Sequence, residues 1–218
     1  MTGTPAPSWL DRIAHDLRDP LAPLQTACYL LRRDDLDTER RQELLAMIER
    51  QTRRLGDMIE ELGDWTRVNG VQPLLGAREP CAPALLLEYA LAGSAVDAMV
   101  SDNAGDDAMI GGDPQRLTQL LRILLEYAHT RGTAPAISLH TDAGRLLLDL
   151  RIAGAAPEPA QLAGLFEQPQ PFDGGLGLRL LIARAIARGH GGELSAMVVD
   201  DALQLRCDLP LLDAVAVS

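Results

Sequence analysis

The chain contains no lysine; all 20 of its basic residues are arginines. That excludes lysine as a catalytic base or a phosphate ligand anywhere in the molecule. Aromatic residues make up only 3% of the chain, so any core must be built from Leu, Ala, Val and Ile. There are three cysteines, Cys28, Cys81 and Cys207. They stand far apart and form no metal or redox spacing, so they are expected to be buried as small apolar residues in a reducing compartment. No run approaches the roughly 18 apolar residues of a membrane span, and "MTGTPAPSWLDR" has no apolar signal core. A cytoplasmic protein without membrane insertion is the expectation. Positive charge is in deficit: 31 acidic residues give a net charge of −11. Such a surface disfavours non-specific contact with nucleic acid, and no nucleic-acid partner is expected.

What is present suffices for packing. Hydrophobic residues are 47% of 218, enough for one large domain or two small ones. Residues 8–68 read as two helices. In the second, Leu44, Ile48, Gln51, Leu55, Met58, Leu62 and Trp65 recur at steps of four and three, a coiled-coil-like seam widened by Leu45, Met47 and Ile59. In the first, Leu10, Ile13, Leu17, Leu21, Leu24, Cys28 and Leu31 make a similar stripe. Asp37, after the polar turn "RRDDLD", suits the N-cap of the second helix. One hairpin leaves so wide a stripe exposed; two about a twofold axis bury it as a four-helix bundle, so a homodimer is expected. Residues 1–70 are therefore assigned to a dimerising helical hairpin and 71–218 to a second domain.

In the second domain, "PALLLEYALAG", "DPQRLTQLLRILLEYAHT", "PAQLAGLF" and "GLRLLIARAIARGH" predict helices. "VDAMV", "DAMIGG", "AISLHT", "RLLLDLRIAG", "GELSAMVV" and "ALQLRCDLP" predict strands, the last two as a closing hairpin. Interleaved in this way, they predict a layered α/β sandwich, and the whole chain an α+β protein.

The stretch "IAHDLRDPLAPLQ" places His15, Pro20 and Pro23 inside the first helix. His15 lies two residues from both Ile13 and Leu17, off the apolar stripe, and is expected to face solvent. His15, Asp16, Arg18, Pro20 and Leu21 resemble the H-box of sensor histidine kinases. The second domain extends the resemblance: "GDPQRLTQLLRILLEYAHT" is similar to the N-box helix, "LFEQ" to the phenylalanine box, and "GGLGLRLLIARAIARGHGGEL" to the G2 box with its following helix and turn. These segments occur in the family's order over residues 8–209. The resemblance implies a dimerisation and histidine-phosphotransfer hairpin followed by an ATP-binding-type (Bergerat) α/β sandwich. In it His15 would be the phosphorylated nucleophile and Asp16 the base that orients it. The family's proline bends the first helix beside the phosphorylated residue; alternatively Asp19-Pro20 starts a fresh helix as N-cap and N1. Both leave His15 exposed.

The pattern departs from the family at the nucleotide boxes. Glu126 stands where an Asn holds Mg²⁺, and His129 where a lysine is frequent. Ile152 replaces the Asp that accepts the adenine amino group, and Ala156 the last glycine of that box, while Gly154 is kept. Gly175 and Gly177 keep the phosphate-facing turn, although Asp173 stands where a first glycine is common. Glu126, Gly154, Gly175 and Gly177 are the nucleotide-binding candidates, if nucleotide is bound; no resident metal site is expected. Asp19, four residues after His15, replaces the Thr or Asn of kinases with phosphatase activity, so weak phosphatase activity is expected. The leading expectation is a histidine phosphotransferase on a degenerate kinase scaffold, exchanging phosphate between His15 and the aspartates of response-regulator receiver domains. It needs no cofactor beyond the receiver's Mg²⁺. The alternatives are a divergent kinase that uses ATP and Mg²⁺ to phosphorylate His15, and a pseudokinase that binds a response regulator without transfer.

Overall fold

The computed structural model describes residues 9–33, 35–70, 73–94, 96–105, 107–132, 134–154, 156–172 and 174–212, with side chains from residue 11 onward. Asp173 and the Leu10 side chain lie outside the described residues. The chain divides into two compact units: Met1–Gly63 with Gly174–Leu176, and Asp64–Asp173 with Gly177–Ser218.

The helical unit carries α1 (Trp9–Arg18), α2 (Leu21–Leu30) and most of α3 (Thr38–Val68). The predicted first helix is thus divided in two at Asp19-Pro20. Pro20 has no N–H to give to the Asp16 carbonyl, and Pro23 none for Asp19, so two successive turns lose a rung. Yet the backbone passes the break in helical conformation, with Pro20 at φ −68°, ψ −19° and no side-chain cap. The Asp19 N–H donates to the His15 carbonyl at 3.1 Å, and the Leu24 N–H reaches the Pro20 carbonyl only at 3.4 Å. This is a bend in one helix rather than a fresh start capped by Asp19.

Helix α3 starts as its sequence predicts. The Arg40 N–H donates to Asp37 Oδ1 at 2.6 Å, satisfying one of the donors a helix start leaves open. Ile13, Ala27, Leu44 and Met58 are buried, while Leu21, Tyr29, Leu45 and Ile59 stay exposed. Cys28 is also exposed, against expectation, because the described residues leave its position on the α2 stripe uncovered; Cys81 and Cys207 are buried as predicted.

The second unit is the sandwich. Its five-stranded sheet has the order β2 (Met99–Asn103), β4 (Ala136–Asp142), β5 (Arg145–Ile152), β7 (Ala202–Pro210), β6 (Glu193–Val199), with β1 (Glu79–Cys81) and β3 (Ile110–Gly112) as a separate antiparallel pair. Strand β2 runs parallel to β4 and every other pairing is antiparallel. β2 begins at Met99, three residues after the predicted Val96, and runs on through polar Ser101–Asn103. As an edge strand exposed along its whole length it has no apolar alternation to mark it. The closing hairpin forms as predicted, and its second strand inserts between β5 and β6.

Helices α4 (Pro83–Ala92), α5 (Pro114–His129) and α7 (Arg179–Gly189) pack side by side with α5 in the middle, and α6 (Pro159–Gly164) is a short turn. Asp113 caps α5, accepting from the Gln115 and Arg116 N–H groups at 3.0 and 3.1 Å. The core lies between helices and sheet: Leu120 and Leu124 of α5, Ile182 and Ile186 of α7, and alternate residues Leu146, Leu148, Leu150 and Ile152 of β5 are all buried. It is aliphatic, as the shortage of aromatics requires. Where a charge is buried in the sheet it is paired: Arg206 holds Asp149 through two hydrogen bonds of 2.7 and 2.8 Å across β5 and β7. Among the described residues no helix is long and apolar enough to cross a membrane.

Candidate functional site

His15 sits in the last turn of α1 with 73% of its side chain exposed. Its Nδ1 lies 3.6 Å from Asp16 Oδ1 and 3.4 Å from Asp19 Oδ1. The predicted partner Asp16 is therefore in place, but the carboxylate four residues on is at least as near. That spacing puts two side chains on one helix face and is visible in the sequence, although the family pattern points to Asp19 only for phosphatase activity. The bend keeps Asp19 available. Its backbone closes the last turn of α1, and its carboxylate turns back to His15 instead of capping α2.

The other histidines have other settings. His190 is buried: its Nε2 accepts the Asp113 N–H at 3.0 Å and its Nδ1 meets the Ile186 carbonyl at 2.7 Å. Those partners require the Nδ1–H tautomer. Burial holds its pKa below the ordinary imidazole value, with Arg78 acting in the same sense. It is a core residue joining α7 to the start of α5. His129 is exposed at the end of α5, and His140 is half-buried on β4.

In the sandwich, two of the nucleotide-binding candidates, Glu126 and Gly177, have a structural occupation. Glu126, on α5, accepts from Arg179 Nη1 at 2.5 Å, so the carboxylate at the expected Mg²⁺ position is paired with the first residue of α7. Ile152 is wholly buried, part of the apolar core. Gly154 holds a left-handed turn at φ +65° with open space around it. Gly177, at φ +83°, comes so close to the backbone of Gln170 and Pro171 that a Cβ there would lie 2.7–2.9 Å from it. Its carbonyl accepts the Gln170 N–H at 2.8 Å, closing the loop after the phenylalanine-box segment. Gly175 is not among the left-handed glycines; Gly174, which the family pattern does not single out, is, at φ +71°. Gly174–Leu176 cluster with the helical unit, where the Leu176 N–H donates to Glu61 Oε2 at 2.8 Å.

Next to Glu126, the Tyr127 ring is buried edge-on against Phe172, centroids 5.3 Å apart, and the Arg131 guanidinium lies 4.8 Å above it and hydrogen-bonds its hydroxyl. Two of the chain's five Phe and Tyr residues are spent on this pair. No sequence signal joined Tyr127 to Phe172, or Glu126 to Arg179, because each pair closes only when the loop and α7 fold back onto α5. As a donor set for Mg-ATP these residues fit poorly. Ile152 cannot accept the adenine amino group, and Glu126 is already engaged by a cation.

Fold and site together define a protein that presents an exposed, carboxylate-flanked histidine on a bent helix of a helical hairpin joined to an α/β sandwich. Comparison with known proteins narrows this class. Residues 8–70 match the His Kinase A (phospho-acceptor) domain. The sensor protein TorS of Escherichia coli strain K12 is 27% identical over 226 residues, covering 96% of this chain and 24% of TorS. The chain thus spans about a quarter of that relative's length. Among solved structures, Acinetobacter baumannii histidine kinase AdeS aligns with TM-score 0.69 at 19% identity, over 91% of this chain and 98% of that one. Full-length ShkA in complex with AMPPNP gives 0.68 at 21% identity, over 96% and 47%. Histidine kinase ThkA in complex with response regulator TrrA gives 0.71 at 16% identity, over 92% and 60%. Residues 8–70 are thus similar to the phospho-acceptor domain of histidine kinases, and the chain shares its fold with solved histidine kinases.

Proposed function

We propose that this chain is a two-component phosphorelay transmitter in which His15 carries the phosphoryl group and passes it to the aspartate of a response-regulator receiver domain. Residues 1–70 form the dimerising phosphotransfer hairpin and 71–218 the accompanying sandwich. The observation that carries the reading is the exposed His15 imidazole with a carboxylate at its Nδ1. A neutral imidazole has one lone-pair nitrogen. That pair attacks phosphorus and forms the N–P bond, while the bond from phosphorus to the donor oxygen breaks and its electrons leave on that oxygen. Asp16 holds the ring proton meanwhile. The ThkA–TrrA complex supports a response regulator as the acceptor. The exposed Leu21, Tyr29, Leu45 and Ile59 support a second copy as the cover of the hairpin.

For the donor, the relatives favour ATP: TorS is named a sensor protein, AdeS and ThkA histidine kinases, and ShkA is solved with AMPPNP. Autophosphorylation of His15 therefore has wider support than the phosphotransferase that the sequence alone put first. The phosphotransferase stays as the second reading because of one specific observation. Glu126 is tied to Arg179 and Ile152 is sealed in the core, where a nucleotide would need a metal ligand and an adenine acceptor. Without those two interactions, each worth about 1.5–3 kcal/mol, ATP binding would weaken by two or more decades, to roughly millimolar.

The test is to incubate the purified protein with radiolabelled ATP, and separately with a radiolabelled phosphoreceiver. Acid-labile label on His15 from ATP establishes the kinase. Label from the phosphoreceiver alone establishes the phosphotransferase. Label from neither overturns the proposal and leaves a regulator-binding pseudokinase.

A further inference from the structure

We propose that Asp19 is a positioning residue for His15, sharing with Asp16 the task of holding the ring proton on Nδ1 so that Nε2 is the nitrogen that meets phosphorus. This rests on the reading of His15 as the phosphoryl carrier and deepens it. Both carboxylates approach the same ring nitrogen, Asp19 at 3.4 Å and Asp16 at 3.6 Å. One polar side-chain atom from each of His15, Asp16 and Asp19 lies within 4.8 Å of the other two. An ionised carboxylate only accepts hydrogen bonds, so what it draws to Nδ1 is the N–H. A neutral imidazole has a single N–H, so fixing it on Nδ1 puts the lone pair on Nε2. Both distances are longer than a hydrogen bond, as catalytic contacts often are before a reaction partner closes the site.

The bend explains why Asp19 is free for this task. A carboxylate immediately before a proline is well placed to cap the next helix. Here the backbone runs through Pro20 in helical conformation, and α2 takes no side-chain cap. Asp19 instead belongs to the last turn of α1, its N–H on the His15 carbonyl and its carboxylate one turn below the ring. Asp16 and Asp19 both come close to the same Nδ1, so either can hold the proton when the other is removed. The expected signature is therefore strong non-additivity.

The experiment measures the His15 tautomer by ¹⁵N NMR, at a pH above the ordinary imidazole range, in the wild-type protein and in Asp16→Ala, Asp19→Ala and the double variant. The same proteins are then treated with phosphoramidate, which needs neither ATP nor a receiver. The Nε2 lone pair forms the N–P bond, the P–N bond of the reagent breaks, and ammonia leaves. In the wild type, Nδ1–H should dominate and phosphate should appear on Nε2. Asp19→Ala should slow the reaction several-fold, and the double variant by about 10²-fold, with the tautomer shifted to Nε2–H. Asp19→Asn, which keeps an acceptor oxygen, should recover part of the loss. Asp19 is exposed and Asp16 half-buried, and neither belongs to the core, so circular dichroism should be unchanged in all variants. Identical tautomer populations with and without the Asp19 carboxylate, in both the wild-type and the Asp16→Ala backgrounds, would overturn the proposal. A tautomer shift in a protein that takes no phosphate from ATP or receiver would uphold the positioning role while rejecting the carrier reading.

Discussion

The two regions that resemble kinase motifs have fared differently. Around His15 the working groups are close neighbours in sequence, His15 and Asp19 exposed and Asp16 half-buried. In the sandwich the corresponding positions are scattered over α5, the end of β5 and the loop before α7, and packing has claimed them: Glu126 pairs with Arg179, Ile152 fills the core, and Gly177 permits a close backbone approach. A site on one exposed helical turn keeps its chemistry whatever happens to the core. A site assembled from several elements is exposed to every change in their packing, and each residue there answers to stability before it answers to a ligand.

The sharpest way to break this comparison is His15→Gln. It should abolish uptake of acid-labile phosphate and leave the fold intact, since an exposed substitution changes stability by under about 0.5 kcal/mol. If phosphate uptake persists at the wild-type rate, the site lies elsewhere; His129 and His140 would be tested first, because His190 is sealed in the core.

Gly177→Ala should do the reverse and act on stability. Its left-handed φ and the crowding by Gln170 and Pro171 together predict a loss of about 2 kcal/mol or more in urea unfolding. Gly175→Ala should cost well under half of that, since Gly175 has no left-handed φ. Equal, small effects at both positions would mean that the loop is not structurally committed.

Asp64 gives a third test. Near the end of α3 it accepts from Arg116 at 2.8 Å and Gln119 at 2.6 Å, both on α5, and from Arg67 at 2.9 Å. Burial alone would raise its pKa, but the hydrogen bonds from Gln119 and Arg116, with the charge of Arg116, hold it below the usual carboxylate value. Such a group lends stability above its unfolded pKa and loses it as pH falls through the lower, folded one. Asp64→Asn should therefore cost about 1–2 kcal/mol at neutral pH, with the difference from wild type shrinking as pH drops below about 4. A difference independent of pH would reject the charge-based account.

The smallest expected effect is at His190. Its folded pKa is depressed by burial, so below the unfolded value of about 6.5 the unfolded state binds the extra proton. Stability should fall gently as pH drops from about 6.5 towards the folded pKa. Thermal unfolding of wild type and His190→Asn across that range should diverge at the upper end and converge at the lower.

The sequence alone determined the features that follow from local rules. The α3 seam, the Asp37 cap, the alternation in β4, β5 and β7, and an exposed His15 with Asp16 beside it all depend on residues a few positions apart, and periodicity and capping chemistry report those directly. The tertiary structure decided the rest. The burial of Ile152 and the pairings Glu126–Arg179 and Tyr127–Phe172 join residues about 45–55 positions apart. The extent of edge strand β2 is set by its ladder with β4 and not by its own pattern. Even within α1, whether Asp19 capped α2 or turned to His15 could not be read from the order of residues. Both are compatible with Asp-Pro, and the choice depends on whether the backbone bends through Pro20 or restarts there, a balance set by the packing on either side of the break.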